Sequence, residues 1–337
     1  MRTLRELEAG CPLPPGWGDI EMFSEQVDPG GLRLEVVGLC SKHSCGLSAI
    51  GSAGSCETSP VDRAYFELLE RCVLVDAIAD TSASFDLLDS AGKPSARRIS
   101  HADLFPESDR PNAWAYSKSN GVAVGPSWVA AVDSARHELV ERDAVLRSWF
   151  LCQTPRRSPL ARDSPLRSVS HLYDFTEFEF ETIDGTNSVV AGVFGFPHAA
   201  PSPLVYGFGA RETRQLAVAA ATRECVQRLG FLWGEELPEQ PPEPAPTPDY
   251  HQEFYLCASS HKHLRRWLWG LGSGSPAQLS CELWQSPLFV DLSPDHLRSQ
   301  LWVAKALPRG QVPLTFGVGN PAIAGDLTEA IAVHPIA

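Results

Sequence analysis

Three short acidic motifs are the residues of this chain best suited to chemistry. They are Glu67-Leu-Leu-Glu70-Arg71, Glu138-Leu-Val-Glu141-Arg142 and Glu224-Cys-Val-Gln227-Arg228. In each motif a glutamate is followed three residues later by an acid or amide and four residues later by an arginine, and residues at this spacing share one helix face. A single Glu–Arg pair of this kind is most simply a surface ion pair. Three copies instead indicate a structural unit that occurs three times, although the unequal spacing of the copies excludes a simple repeat array.

The carboxylates of the first two motifs are suited to binding a divalent cation. Glu67 with Glu70, and Glu138 with Glu141, place two pairs of acids on helices that can face one cleft. Carboxylates held this close repel one another unless a cation lies between them. Mg²⁺ takes such hard oxygen ligands and often bridges them to phosphates, so the four glutamates are candidate Mg²⁺ ligands.

Arginines and a turn next to these carboxylates indicate phosphate recognition. Arg71 and Arg142 can hold phosphate oxygens through paired hydrogen bonds. The small residues of 119–125 enter the second motif helix, where main-chain N–H groups can approach an anionic ligand. The chain has neither a GxxxxGK[ST] loop nor the glycine-rich signature of kinases. The pattern therefore predicts nucleotide binding without a Walker loop.

Apolar periodicity predicts the elements that position these motifs. Helices are expected from Ser59-Pro60 onward, over about 127–150 and over about 212–232, and each contains one motif. Strand-like runs lie at 32–39, 177–182, 188–194, 253–258, 288–292 and 301–306. Because helices and strands are interleaved, the predicted class is mixed α and β.

Composition and charge exclude several classes of protein. The chain has 337 residues, 43% of them hydrophobic, and a net charge of -13. This acidic balance argues against a nucleic-acid binder or a binder of anionic membranes. The apolar stretches are shorter than the roughly 18 residues of a spanning helix, and the first ten residues do not resemble a secretory signal. We therefore expect a cytoplasmic protein whose nine cysteines are reduced.

Two proline-containing stretches and one cysteine-containing stretch have weaker functional interpretations. The acidic run 237–249 is predicted to be an extended loop, with docking of a proline-binding partner as the alternative. The basic stretch 153–168 is predicted to be an irregular, mobile loop. Cys40, His43 and Cys45 offer metal ligands, but the second ligand pair of a typical zinc site is missing, so a loop with incidental thiols is expected.

The same motifs resemble those of the YcaO family. Ser119-Asn-Gly-Val-Ala-Val-Gly125, followed by Glu138-Leu-Val-Glu-Arg-Asp-Ala144, is similar to that family's SNGxAxG…ExxERDA hallmark. Upstream, Ala64-Tyr-Phe-Glu-Leu-Leu-Glu-Arg71 resembles its AxxExxER helix, and 224–228 resembles its third motif helix. The stretches 290–293 and 307–317 resemble its C-terminal strand and loop. The resemblance covers about residues 30–337, which predicts a short N-terminal extension (1–30) and a YcaO-like domain (31–337) with a proline-rich loop at 237–249.

The resemblance implies a fold, two cofactors and a set of site residues. The fold is α+β, with repeated mixed sheet-and-helix units around a central ATP cleft, and the cofactors are ATP and Mg²⁺. The implied metal ligands are Glu67, Glu70, Glu138 and Glu141. The implied ATP-binding residues are Arg71, Ser119, Asn120, Gly121, Glu138, Glu141 and Arg142. No Ser–His–Asp triad is evident, and no catalytic residue is assigned.

The resemblance also implies a reaction and its partners. Family members activate a peptide-backbone amide by phosphorylating its oxygen, and attack by a Cys, Ser or Thr side chain then gives an azoline. The substrate would be the precursor peptide of a ribosomally made natural product, presented by a leader-binding or E1-like partner protein. Alternatives are a thioamide- or amidine-forming enzyme and a non-catalytic member that binds peptide within a complex. Neither nucleic acid nor membrane is expected as a partner, and a homodimer is one assembly open to the chain.

The chain departs from the family pattern at three places. The loop 51–55 contains no lysine, which many relatives have there. Ala220 stands where a phosphate-binding arginine is expected, and Arg214 or Arg223 would replace it only if the helix rotated or the alignment shifted. The C-terminal residues 334–337 replace the proline-rich tail of many azoline-forming members, so either a tail that arranges the site or a frayed end is expected.

Overall fold

The computed structural model describes residues 2–183, 185, 187–199, 201–271, 277–280, 285–324 and 332–336. Within these residues the chain forms seven α-helices and fourteen β-strands. The helices are α1 (Leu4–Gly10), α2 (Val61–Ala79), α3 (His101–Leu104), α4 (Trp128–Phe150), α5 (Arg214–Leu232), α6 (Pro248–Leu256) and α7 (His261–Trp269). The strands are β1 (Glu21–Val27), β2 (Leu34–Lys42), β3 (Ser48–Ser55), β4 (Ser84–Leu88), β5 (Pro94–Ser100), β6 (Trp114–Tyr116), β7 (Val122–Gly125), β8 (Arg156–Pro159), β9 (Tyr173–Phe180), β10 (Val189–Pro197), β11 (Val205–Arg211), β12 (Leu288–Asp291), β13 (Trp302–Leu307) and β14 (Thr315–Gly317).

The strands form three larger antiparallel sheets and one two-stranded ribbon. Their strand orders are β1-β2-β3, β5-β4-β12-β13-β7, β11-β10-β9-β8 and, for the ribbon, β14-β6. One long helix packs on each larger sheet: α2 on β3, α4 on β7 and β13, and α5 on β11. The predicted α+β class with repeated sheet-and-helix units is confirmed, and each motif lies on the long helix of one unit.

Glycines in two of the strands allow the motif helices to pack unusually close. A Cβ on Gly51 of β3 would lie 2.2 Å from the Ala64 carbonyl oxygen of α2. A Cβ on Gly207 of β11 would lie 2.4 Å from the Ala221 carbonyl oxygen of α5. Both contacts are impossible for any other residue without movement of the backbone, so glycine is required at both positions. Ala64 and Ala221 each lie three residues before the first glutamate of their motif, which makes the two contacts equivalent.

The largest hydrophobic cluster fixes the position of α4. The apolar face of its second half packs on the aromatic face of β9–β11, on α6 and α7, and on the C-terminal segment of the chain. Phe150, Phe194 and Phe196 are fully buried there, together with Val333 and Ile336 near the C-terminus. Burial of each such side chain contributes on the order of 2 kcal/mol. The C-terminal segment is thus part of the core that holds the second motif helix.

The helix starts agree in part with the sequence patterns. The predicted start of the second helix at about residue 127 agrees with α4, which begins at Trp128 and is capped by Ser127 through the Ala130 N–H. For α2, however, Pro60 is the N-cap rather than the first helical residue, and the Ser59 hydroxyl bonds Glu35 instead. None of the helices described is both long and apolar enough to span a membrane.

One predicted strand was wrong. Residues 253–258 were expected to be extended, but 253–256 form the end of α6. Thr247 caps this helix through the Tyr250 N–H, and Pro248 occupies its first turn, where a missing N–H costs nothing. Tyr250 and Phe254 are four residues apart and both buried, and residues at this spacing share one face of a helix. A helix therefore buries both side chains on the same side. The other five predicted strands overlap β2, β9, β10, β12 and β13.

The irregular loop predicted for 153–168 was also wrong in part. This stretch contains β8 and a 3-10 helix, Pro165–Val169. β8 is the edge strand of its sheet, and Pro159 lies at its end. Charged and proline residues are typical of edge strands, which explains why the sequence looked irregular. The proline-rich run 237–249 does lack regular structure up to α6.

The first 30 residues pack directly onto the first unit. β1 pairs along its whole length with β2, and Leu7 of α1 lies in the same buried cluster as Val37 and Tyr65. The predicted domain boundary at residue 31 stays a prediction.

Candidate functional site

The first glutamate of each motif is bound by the main chain beneath its helix. The pairs are Glu67 with the Ser52 N–H (3.0 Å), Glu224 with the Phe208 N–H (2.7 Å) and Glu138 with the Gly121 N–H. Ser52 and Phe208 directly follow the two glycines that let α2 and α5 approach their strands. The sequence repeat therefore reflects a repeated local geometry, in which a carboxylate on a helix accepts one main-chain N–H, from a strand in two units and from the turn before β7 in the other.

The second polar residue of two motifs reaches the neighbouring unit. Glu70 of the first unit accepts the Val124 N–H of β7, in the second unit, at 3.1 Å. Gln227 of the third unit donates to the Ser52 carbonyl oxygen of β3, in the first unit, at 3.5 Å. These contacts join the units so that the polar faces of the three motif helices meet in the middle of the protein.

The carboxylates brought together here carry strongly perturbed pKa values. Burial raises the pKa of Glu70 to about 8, against the attraction of Arg71, and the nearby Glu138 and Glu67 raise it further. Burial also raises the pKa of Glu138 and of Glu141, and Arg142 opposes both shifts. A cation among these carboxylates would stabilise their ionised forms, which burial and mutual repulsion disfavour. The cluster is therefore electrostatically suited to a cation.

Two arginines next to these acids have buried N–H groups without a partner. Arg142 lies 3.3 Å from Glu141, but its Nε has no hydrogen-bond partner among the described residues. The Arg228 guanidinium stacks over the Tyr206 ring at 4.0 Å, and its Nε and Nη2 are likewise unpartnered. Burial raises the pKa of Tyr206, and the charges of Arg228, Glu224 and Arg142 also act on it, so these groups are close neighbours. Unpaired buried donors are costly, and phosphate oxygens would satisfy them.

A cavity of about 370 Å³ opens beside the second motif. That volume lies in the range, about 300–1,000 Å³, that is typical of small-molecule sites. The cavity is lined by Arg71, Ala115, Tyr116, Ser117, Lys118, Ser119, Glu138, Arg142, Pro246, Pro248, Leu314, Phe316 and Ile336. Four of the predicted site residues therefore face it directly: Arg71, Ser119, Glu138 and Arg142. The end of the proline-rich run forms part of the wall, a role that the sequence did not indicate.

The predicted turn 119–121 forms one edge of this cavity and is held from below. Gly121 has a φ of +73°, and a Cβ there would lie 2.8 Å from Leu139, so only glycine fits. The Lys305 Nζ of β13 donates to the carbonyl oxygens of Lys118 (2.9 Å) and Asn120 (3.1 Å). The Asn120 side-chain oxygen is buried and has no hydrogen-bond partner in the part of the chain that the structure describes. Lys305 was not among the predicted site residues, because it lies in an apolar strand far along the chain from the three motifs.

The other predicted carboxylates lie behind the cavity wall. Glu67, Glu70 and Glu141 are not among its lining residues, yet Glu67 and Glu138 both raise the pKa of Glu70. Glu224 of the third motif was not predicted as a ligand. It raises the pKa of both Glu67 and Glu141 and therefore belongs to the same cluster.

The two arginines considered as replacements for Ala220 do not reach this site. Arg214 pairs with Glu177 at 2.8 Å and with Glu179 at 3.3 Å. Arg223 lines a different cleft, of about 810 Å³, to which Arg214 also contributes. Of the arginines on α5, Arg228 is the one beside the acidic cluster. The loop expected at 51–55 is instead the last five residues of β3.

The C-terminal segment is buried rather than frayed. His334 is fully buried, its Nε2 lies 2.7 Å from the Thr315 carbonyl oxygen, and its ring lies 4.3 Å from that of His251. Ile336 lines the cavity. The frayed end considered for residues 334–337 is thus wrong for 334–336, and Ala337, with its terminal carboxylate, lies outside the described residues.

The potential ligands of the Cys40–Cys45 loop lie away from this site. The His43 Nδ1 lies 2.8 Å from the Cys45 sulfur, while Cys40 is in β2. All eight cysteines among the described residues are free thiols.

Comparison with known proteins places these observations in a family. Residues 94–300 match the sequence profile of the family described as YcaO cyclodehydratase, ATP- and Mg²⁺-binding. No curated protein matches the chain at a significant level.

Several solved structures share the fold. YcaO from Methanopyrus kandleri, bound with AMPPCP and Mg²⁺, has 16% identity and a TM-score of 0.59, covering 91% of this chain and 88% of its own. A heterocyclase in complex with substrate and cofactor has 14% identity and a TM-score of 0.56, and the alignment covers 86% of this chain but only 50% of that enzyme. The Escherichia coli microcin synthetase McbBCD complex with pro-MccB17 bound has 11% identity and a TM-score of 0.56, covering 86% and 87%. At these identities the likeness concerns the fold.

The site's own chemistry agrees with ATP and Mg²⁺, the cofactors of the matched family. The buried glutamates with raised pKa values are compatible with a divalent cation. The unpartnered N–H groups of Arg142 and Arg228 are compatible with phosphate oxygens. The profile match spans more than half of the sequence, and on that basis this protein belongs to the YcaO family.

Proposed function

We propose that this protein uses ATP and Mg²⁺ to activate a backbone amide of a ribosomally made peptide, so that an adjacent Cys, Ser or Thr side chain closes to an azoline. The observation that carries the proposal is the presence, around the second motif and its cavity, of a buried carboxylate cluster together with arginine N–H groups that have no partner among the described residues. The buried glutamates are suited to a metal ion and the arginine N–H groups to phosphate oxygens, so together they are suited to a metal–triphosphate group.

The carboxylates on α2 and α4 would hold Mg²⁺. Glu67 is anchored through a strand N–H and Glu138 through the N–H of the turn residue Gly121, which fixes the carboxylates before any ligand arrives. Glu70 is anchored by β7, and Glu141 is held next to Arg142. Preorganised ligands reduce the ordering cost of binding a cation.

The guanidinium groups and the turn would bind and orient the nucleotide. Arg142 and Arg228 would donate to phosphate oxygens, and Arg71 would contribute positive charge at the cavity wall. Ser119, Asn120 and Gly121 would form the wall of the nucleotide site. Bound ATP supplies the phosphoryl group that turns the amide oxygen into a leaving group. The residues of this chain contribute positioning and charge stabilisation, which are the main sources of catalysis in phosphoryl transfer.

The peptide would be delivered by a second protein that binds its leader. Support comes from two of the related folds: one is a heterocyclase about twice as long as the matched region, and the other is a complex solved with pro-MccB17 bound. Holding the peptide at the cleft turns a bimolecular encounter into a local one and raises the effective substrate concentration.

The decisive experiment incubates the purified chain with ATP, Mg²⁺, a Cys/Ser/Thr-containing precursor peptide encoded nearby and the candidate leader-binding protein. The expected result is loss of one water per ring, measured by mass spectrometry, with matching release of phosphate. Absence of ring formation, with ATP binding retained, would refute cyclodehydration by this chain.

A non-catalytic role in a peptide-binding complex is the second candidate. It is favoured by the absence of a lysine in 51–55 and by Ala220 at the expected arginine position. The two candidates differ in nucleotide binding: the enzyme requires tight, Mg²⁺-dependent ATP binding, while the non-catalytic protein does not. A titration with ATP with and without Mg²⁺ separates them. Thioamide or amidine formation would keep the same ATP site. A thioamide replaces oxygen with sulfur and gives a different mass change, whereas an internal amidine also loses one water and is distinguished by fragment ions that place the loss at an amine rather than at Cys, Ser or Thr.

A further inference from the structure

A second group of metal-ligating side chains lies outside the ATP cavity. Asp133 and His137 are on α4, and Glu212 is at the junction between β11 and α5. One ligand atom from each of the three lies within 4.8 Å of the others. None of the three lines the cavity described above, so the group is separate from the proposed nucleotide site.

His137 shows that this group is more than a chance set of surface acids. His137 is only 3% exposed, although the carboxylates of Asp133 and Glu212 beside it are accessible to solvent. Its Nδ1 lies 3.4 Å from the Asp133 Oδ2, and its Nε2 lies 3.8 Å from the Glu212 Oε1. The buried Nε2 has no hydrogen-bond partner within the described residues. A buried ring nitrogen without a partner is unfavourable, and a bound cation would satisfy it.

We propose that Asp133, His137 and Glu212 form a binding site for a divalent transition-metal ion such as Zn²⁺. An imidazole nitrogen combined with carboxylate oxygens is a ligand set that Zn²⁺ accepts, at bond lengths of about 2.0–2.2 Å. Mg²⁺ prefers oxygen ligands alone, so the imidazole distinguishes this site from the glutamate cluster.

The three side chains can close on an ion through movement of the exposed carboxylates. Asp133 and His137 are four residues apart and share one face of α4, so they can chelate without any change in the helix. Asp133 faces the Nδ1 of His137 and Glu212 faces the Nε2, so an ion on Nε2 requires the Asp133 carboxylate to rotate toward that nitrogen. The Asp133 and Glu212 side chains are 43% and 54% exposed, which leaves room for this rotation. Arg136 already binds the Asp133 Oδ1 at 2.6 Å, which leaves Oδ2 for the metal. Water would complete the coordination.

Such an ion would link two of the motif helices. His137 precedes Glu138 on α4, and Glu212 lies at the start of the segment that leads into α5, the helix of Glu224 and Arg228. A metal between His137 and Glu212 would therefore fix α4 relative to α5. Binding to the folded state alone would also stabilise the protein in proportion to the logarithm of the free metal concentration.

Calorimetric titration of the full chain with Zn²⁺, in excess Mg²⁺, tests the proposal. One equivalent of Zn²⁺ should bind to the unaltered protein and raise its Tm. His137→Asn should abolish this binding event, and Glu212→Gln should weaken it at least about tenfold, which is the scale of ligand-shell effects. Glu212→Gln is at the surface and keeps the fold, so its result counts even if His137→Asn lowers stability.

His43→Asn is the matched control, because His43 and Cys45 form a separate histidine-containing pair of potential ligands. Its Zn²⁺ binding should equal that of the unaltered protein. Equal Zn²⁺ affinity in the unaltered, His137→Asn and Glu212→Gln proteins would overturn the proposal. Loss of binding in His43→Asn alone would move the metal to the Cys45 loop and would also overturn it.

Discussion

The Lys305 Nζ, on β13, donates at 3.1 Å to the carbonyl oxygen of Asn120, in the turn that leads into the neighbouring strand β7. The residue is only 5% exposed. Burial lowers the pKa of Lys305 to about 8, although Glu138 favours the charged form. The ammonium group therefore fixes the backbone of the turn from beneath and places a positive charge near a candidate metal ligand.

Replacing Lys305 with Met should weaken Mg²⁺-dependent ATP binding by about tenfold and lower the free energy of unfolding by about 1–3 kcal/mol, because buried acceptors lose their donor. Nucleotide titration and urea denaturation measure the two effects. Lys93→Met is the control, since Lys93 is exposed and distant from the turn. Unchanged ATP affinity in Lys305→Met would mean that the lysine stabilises the sheet without shaping the site.

The stability of the metal-free protein should fall as pH rises through the range between the unfolded and folded pKa values of Glu70. Burial raises this pKa from 4.5 to about 8, so the folded state binds the proton more tightly than the unfolded state. The stabilisation that protonated Glu70 gives the folded state is fully present below pH 4.5 and is lost as the pH rises through about 8. Glu70→Gln stays uncharged and still accepts the Val124 N–H, so its Tm should exceed that of the unaltered protein above this range.

Thermal denaturation without Mg²⁺ on both sides of the range measures this effect. Glu107→Gln removes a carboxylate that is 75% exposed and should leave the pH profile unchanged. A Tm for Glu70→Gln that follows the unaltered protein at every pH would show that Glu70 carries no buried charge.

Glu141→Gln should abolish Mg²⁺-dependent ATP binding while leaving the fold intact. Glu141 is 8% exposed and lies between Arg142 and the other acids, so its loss removes a metal ligand and leaves Arg142 with one fewer counter-charge. Titration with ATP at fixed Mg²⁺, together with far-UV circular dichroism, gives both readouts. Full ATP affinity in this variant would exclude Glu141 from the site.

Two arginines of α5 provide a matched pair for phosphate binding. Arg228 stacks on Tyr206 with unpartnered donors beside the acidic cluster, whereas Arg223, five residues earlier, lines the other cleft. Arg228→Met should lower ATP affinity by at least about tenfold, since a charge-assisted hydrogen bond contributes about 1.5–3 kcal/mol. Arg223→Met should leave ATP affinity unchanged. Equal effects of the two substitutions on ATP affinity would place the phosphates elsewhere.

The part of the site that follows from local spacing was predictable from the sequence. Residues at i, i+3 and i+4 share a helix face in any context, so the polar faces of α2, α4 and α5 could be read from the motifs alone. Lys305 and Arg228 could not be assigned in this way, because their roles depend on which strand lies beside the turn and on which ring lies beneath the guanidinium. Such contacts between distant residues are set by tertiary packing.

The misread elements have a similar cause. The apolar and aromatic residues of 253–258 are typical of a strand, but Thr247 and Pro248 begin a helix just before them and their buried positions follow its period. In 153–168, prolines and charges conceal an edge strand whose partner β9 lies beyond the stretch itself. Local composition indicated an extended chain for 253–258 and a flexible loop for 153–168. In both stretches tertiary packing determined a different structure.

Removal of residues 334–337 should reduce thermal stability and ring formation together. His334 is fully buried against His251 and bonds the Thr315 carbonyl oxygen, and Ile336 contributes both to the largest hydrophobic cluster and to the cavity wall. Loss of one buried aliphatic side chain alone costs about 2–5 kcal/mol. Ile336→Ala keeps the chain length and the contacts of His334, so it measures how much of both losses comes from the Ile336 side chain alone. Differential scanning fluorimetry and the mass-spectrometric assay measure the outcome, and a truncated protein with unchanged Tm would show that the segment contributes nothing to the fold.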